Sequence, residues 1–135
     1  MQVQPYLFFD GRCEEALGFY CKALGGQVTA LMRYQDNPEP PPPGNTMAGD
    51  KIMHANLQIG ATQIMASDGQ RPGEGLFKGF ALSITAATDA QAQRLFDALA
   101  DGGKIQMPFG PTFFATAFGM VADRFGVGWM VIVPR

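Results

Sequence analysis

Histidine occurs once in the chain, at His54, and cysteine twice, at Cys13 and Cys21. One imidazole is a poor basis for a catalytic zinc or iron centre, which wants about three protein ligands and an open position. The cysteines lie eight residues apart on one predicted helix. That places them about 12 Å apart at 1.5 Å rise per residue, too far to bridge. Charge is also scarce. Asp, Glu, Lys and Arg make up 16% of the residues, little for a domain that must cover so much surface, so some apolar surface is expected to meet a partner, a second copy of the chain. The ten Lys and Arg are scattered and the net charge is −2, with no basic stripe to release counterions from a phosphate backbone. Nucleic acid is therefore not an expected partner. The amino end carries no signal-peptide pattern and no apolar run is long enough to span a bilayer. With reduced thiols, this favours the cytoplasm. A glycine-rich strand-to-helix turn for a nucleotide cofactor is missing as well, and no cofactor is expected.

What is present is a repeat. Phe19 is followed by Gly25-Gly26-Gln27-Val28, and Phe96 by Gly102-Gly103-Lys104-Ile105, at a constant offset of 77 residues. Each copy ends an amphipathic helix at a glycine pair and then enters a strand. A duplicated small α+β unit must bury its sheet against its twin or a second chain. The concave space left between the copies is the natural ligand site.

Val3 to Phe9 reads as a first strand, broken by Asp10-Gly11. Cys13, Ala16, Leu17, Tyr20 and Leu24 then recur at helical spacing, with Glu14 and Glu15 where the helix dipole favours anions. Period-two alternation predicts strands over Gln27–Gln35 and Lys51–Ile59, with Thr62–Ala66 returning as a hairpin partner. In the second of these, Met53, Ala55, Leu57 and Ile59 share one face; Ile52, His54, Asn56 and Gln58 share the other. Asp68 to Gly75 reads as a linker. The second copy opens with Phe80, Leu82 and Ile84, passes through a Thr88-x-x-Gln91 capping box into a helix, and closes with three strands and a turn at Asp123–Gly126. One segment fits neither copy: Asp36 to Gly49 carries Pro38 and Pro40 to Pro43. It reads as a solvated loop, with a lid over the pocket or a docking ligand for another domain as alternatives.

Several stretches together resemble the vicinal oxygen chelate superfamily of glyoxalase I, bleomycin-resistance proteins and extradiol dioxygenases, and within it the PhnB-like group labelled demethylubiquinone methyltransferase-like. They are Pro5-Tyr6-Leu7-Phe8-Phe9, Glu14-Glu15-Ala16 with Phe19-Tyr20, Leu24-Gly25-Gly26, Lys51-Ile52-Met53-His54-Ala55, and a tail running from Met107-Pro108 through Thr112-Phe113-Phe114 and Gly119-Met120-Val121 to Asp123-Arg124-Phe125-Gly126-Val127-Gly128-Trp129. The resemblance implies an α+β fold: one glyoxalase-like domain over 1–135, in two βαβββ modules (about 1–68 and 76–135) whose sheets curl around a cavity, usually as a homodimer. Metal-dependent relatives put His or Glu at positions that correspond here to Pro5, His54, Gly79 and Met130. Only His54 can grip a hard or borderline divalent ion, so no metal is expected.

The expected function is that of a metal-free small-molecule-binding protein or a cryptic enzyme. The alternatives are a metal-dependent lyase or dioxygenase, and a drug-sequestering resistance protein, although Glu14, Glu15, Glu39 and Glu74 form no evident acidic cleft. His54 is the candidate general base or hydrogen-bond donor, set against a structural histidine satisfied by a neighbour. Asn56 and Gln58 share its face. Phe9 and Met130 are aimed inward by alternation, and the resemblance adds Phe114. Arg33 could meet a carboxylate, but reads more simply as an exposed strand arginine.

Overall fold

Strand alternation and two amphipathic helices set out the architecture. The computed structural model describes residues 1–70 and 76–135. Two compact units, 1–75 and 76–135, carry the same order of elements. The first contains β1 (Tyr6–Phe8), α1 (Cys13–Leu24), β2 (Gln27–Arg33), a 3-10 turn (Tyr34–Asp36), β3 (Ile52–Ile59) and β4 (Thr62–Ser67). The second contains β5 (Leu82–Thr85), α2 (Asp89–Ala100), β6 (Lys104–Gly110), β7 (Ala115–Ala122) and β8 (Gly128–Pro134). Each unit forms one four-stranded curled sheet, ordered β1-β4-β3-β2 and β5-β8-β7-β6, with one parallel edge pair and two antiparallel pairs.

The helices bury the faces their spacing predicts: Cys13, Ala16, Leu17 and Tyr20 in α1, and Ala92, Phe96 and Leu99 in α2. They pack on the sheet faces that carry Leu7, Ala55, Leu57, Ile64 and Ala66 in the first unit and Val121, Trp129 and Val131 in the second, all buried. At about 1.5–3 kcal/mol per large apolar side chain removed from water, these two layers dominate the stability of each unit. Gly25 ends α1 in the left-handed conformation, at φ 68°. The second glycine pair is used one residue later. There α2 ends at Ala100 with an extended Asp101 as its C-cap, and Gly102 takes the positive φ of 76°. Thr88 caps α2 by accepting from the Gln91 N–H at 3.1 Å; the Gln91 side-chain carbonyl reaches the Ala87 N–H, one residue before the cap.

Three strand expectations shift. The first strand is confined to Tyr6–Phe8, and β2 gives way to the 3-10 turn at Tyr34. In β3, one extra residue intervenes between the rows Met32–His54 and Arg33–Ile52. This bulge at Met53 reverses the alternation, so Ile52 is buried with Ala55 and Leu57 while Met53 joins His54 on the open face. The expected linker is also shorter. Asp68 is buried; its Oδ1 accepts from the Cys13 N–H and its Oδ2 from the Ile52 N–H, both at 2.7 Å. Residues 71–75 of that linker lie outside the described residues.

Candidate functional site

The open face of the first sheet carries the polar residues. Across the strands, Tyr6 pairs with Met65, which pairs with Asn56, and Phe8 pairs with Ser67. Asn56 in turn faces Ala30, and His54 faces Met32. The Tyr6 hydroxyl lies 2.8 Å from His54 Nδ1, and His54 Nε2 lies 2.7 Å from Asn56 Oδ1. The amide oxygen can only accept, so Nε2 carries the imidazole proton, Nδ1 is the acceptor, and Tyr6 donates to it. Asn56 thereby orients the ring, and His54 can take a proton from the phenol. Burial raises the Tyr6 pKa above its usual value, and Tyr34 adds to the effect. The phenol stays protonated.

Beside this row is a cleft of 590 Å³. Tyr6, Phe8 and Met53 line it from the sheet, Tyr34 and Gln35 from the 3-10 turn, Ser67, Gly69 and Gln70 from the end of β4 and beyond. Asn37, Glu39, Pro41, Pro42, Asn45, Met47 and Gly49 supply the remaining wall, so the proline segment borders a pocket. It is tied down at its ends: the Gln35 N–H donates to the Gly49 carbonyl at 2.9 Å, and the Thr46 N–H to the Gln70 carbonyl at 2.8 Å. The Tyr34 hydroxyl donates to the Gly69 carbonyl.

The expected site residues divide. His54 and Asn56 come together in one hydrogen-bonded row. Gln58 shares their face, but its Nε2 turns back to the Gly60 carbonyl at 2.9 Å. Phe9 is corrected: it is only 4% exposed, with its ring 6.0 Å from Tyr20 on the helix side. The alternation within β1 places Tyr6 and Phe8 on the open face and Leu7 on the helix side, and Phe9 continues Leu7's side. In the second unit, Phe114 is exposed, with its ring 5.2 Å from both Phe113 and Phe118. Met130 is half-buried and pairs with Met120 and Ser83. Arg33 is committed to α1, its guanidinium bonding both Glu14 carboxylate oxygens at 3.0 and 2.8 Å.

Tyr6, Phe8, Tyr34 and Met53 line the cleft and are candidate residues that sequence reasoning missed. The Tyr-Leu-Phe alternation could have found the first two. The other two depend on a turn and a bulge that have no periodic signature.

The residues around His54 do not fit a metal centre. Both ring nitrogens are engaged, by a phenol and an amide, and among the described residues no three His, Cys, Asp or Glu side chains come together. A nucleotide-type cofactor fits no better at α1, where the Asp68 carboxylate already takes the first N–H of the helix. The Cys13 thiol fits a structural role: it is buried, and burial together with Asp68 pushes its pKa far up.

This fold is the glyoxalase-like one. A glyoxylase/bleomycin resistance protein/dioxygenase domain from Frankia matches it at TM-score 0.67 and 16% identity, over 99% of this chain and 95% of that one. The family is fixed more closely by sequence. A family model described as 3-demethylubiquinone-9 3-methyltransferase matches residues 1–132. Protein YjdN of Escherichia coli (strain K12) is 36% identical over the whole of this chain and 97% of its own. Protein PA1353 from Pseudomonas aeruginosa is 47% identical at TM-score 0.86, covering 99% of this chain and 98% of that one. A Bacillus cereus structure carrying the same methyltransferase description and the name PhnB is 26% identical at TM-score 0.82, covering 98% and 99%. The chain belongs to this PhnB-like family of the glyoxalase/bleomycin-resistance fold.

Proposed function

We propose that the protein is a metal-free binding protein, or an enzyme that works without a metal, which takes a small, partly apolar molecule on the open face of its first sheet. The observation that carries this reading is the Tyr6–His54–Asn56 row beside a 590 Å³ cleft, a volume within the usual range of about 300–1,000 Å³ for ligand pockets. His54 is the proton acceptor of the site and Asn56 its orienter. Phe114 and Met130 are the ligand-facing candidates of the second unit. The exposed Val28, Leu31, Ile105 and Met107 on the outer strands β2 and β6 support a homodimer, and two free cysteines suit a reducing cytoplasm.

A thermal-shift screen of small organic molecules, followed by amide NMR, tests the reading. A ligand at a hundredfold excess over its Kd should add about 2.7 kcal/mol and move resonances of cleft residues such as Met53 and Gly69. A diverse library in which no compound stabilises the protein or moves those amides would defeat it.

A further inference from the structure

We infer that the ligand is a flat aromatic molecule bearing an O–H or ring N–H, and that it donates this hydrogen to the phenolic oxygen of Tyr6. The inference rests on the binding reading above and adds polarity and shape to it. Tyr6 lines the cleft, whereas His54 stands behind it as a partner. The phenol has one proton, and that proton is directed to His54 Nδ1, because Asn56 Oδ1 holds the imidazole in the Nε2–H form. What Tyr6 offers the cleft is a lone pair. The other hydroxyls among the described lining residues behave alike. Tyr34 donates to the Gly69 carbonyl. The Ser67 hydroxyl has two acceptors, the Ile52 carbonyl at 3.4 Å and the Tyr6 oxygen, so Ser67 takes one Tyr6 lone pair and the other is left for a ligand. All three hydroxyl protons point into the protein, so a ligand presenting a ketone or carboxylate there would set lone pair against lone pair. Of the other polar side chains in the lining, the Gln35 and Gln70 amides carry donors and acceptors alike, and the Glu39 carboxylate only accepts. Asn37 and Asn45 have their Oδ1 atoms taken by the Glu39 and Met47 N–H groups, with the Asn37 Nδ2 turned to Met53 Sδ. Shape follows from the walls: the Tyr6 and Phe8 rings stack at 5.0 Å and 27°, and Pro41, Pro42 and Met53 add apolar surface. Planar aromatic ligands suit such walls.

The test titrates the protein with two matched pairs, phenol against anisole and indole against 1-methylindole, following amide resonances at Met53 and Gly69. Phenol and indole should bind about tenfold more tightly than their methylated partners, the effect of one buried hydrogen bond. Tyr6→Phe should erase the gap. His54→Leu frees the Tyr6 proton to turn outward, so acetophenone, a pure acceptor, should gain affinity in that variant; this arm stands even if Tyr6→Phe does not fold. Equal binding of all four probes to wild type, or tighter binding of acetophenone than of phenol, overturns the polarity and leaves the binding reading intact. If none of the probes moves the cleft amides, this inference is overturned, and the wider library decides the binding reading separately.

Discussion

His54 is the chain's one imidazole, so its protonation can be read without assignment ambiguity. Long-range ¹H–¹⁵N spectra at neutral pH should show Nε2 protonated and Nδ1 bare, and Asn56→Ala should bring in the other tautomer. A wild-type spectrum with Nδ1 protonated would contradict a row in which Tyr6 donates to His54 and His54 to Asn56. Asp68 makes a second residue-scale case. Its buried carboxylate satisfies two backbone N–H groups, and Asp68→Ala leaves both unpaired. Urea unfolding should show a loss of about 2–4 kcal/mol; a loss below about 0.5 kcal/mol would mean water replaces the carboxylate. At this scale the sequence is only partly legible. The face shared by His54 and Asn56 follows from alternation, but the contact with Tyr6 spans 48 residues and depends on β1 pairing with β4. Asp68 reads as linker because nothing local marks a carboxylate that caps a helix 55 positions earlier.

Among the elements, α1 and β2 are joined by the Glu14–Arg33 pair. Arg33 holds the Glu14 pKa below its ordinary value of 4.5, first through the hydrogen bond and then through charge. A carboxylate with a depressed folded-state pKa stabilises the protein above its unfolded pKa, and that contribution is lost as pH falls through the folded value. Glu14→Gln should therefore lower the thermal midpoint slightly at pH 7 and by less at about pH 3; the effect is small because both groups are solvent-exposed. An equal loss at both pH values would point to packing instead. Gly103 marks a second junction: a Cβ there would sit 2.3 Å from the Ala122 carbonyl oxygen. Gly103→Ala should cost about 1–3 kcal/mol in chemical denaturation, and an unchanged midpoint would show that β6 can shift away from β7 at no cost. Both helices are readable because four-residue spacing and terminal glycines act locally. The strand ends are less so. The 3-10 turn after Arg33 is held by Asp36 accepting the Arg33 N–H at 2.8 Å, a contact that alternation does not encode.

For the molecule as a whole, the repeated glycine pair foretells the duplicated order of elements, and the two sheets share one strand sequence. Sedimentation at micromolar concentration should give twice the 14.5 kDa chain mass; a species at the chain mass alone would remove the homodimer. Elemental analysis of protein purified without chelator should find no stoichiometric metal, and chelator should leave the thermal midpoint unchanged. Stoichiometric zinc, nickel, manganese or iron would reverse the reading of His54. The bulge in β3 has a consequence for how such a scaffold can diversify. Because the extra residue sets Met53 beside His54 on the open side and leaves Ile52 in the buried layer, selection can rewrite the cleft wall at position 53 while the hydrophobic layer beneath the helix goes untouched. Recognition and foldability are thereby uncoupled at one adjacent pair of side chains.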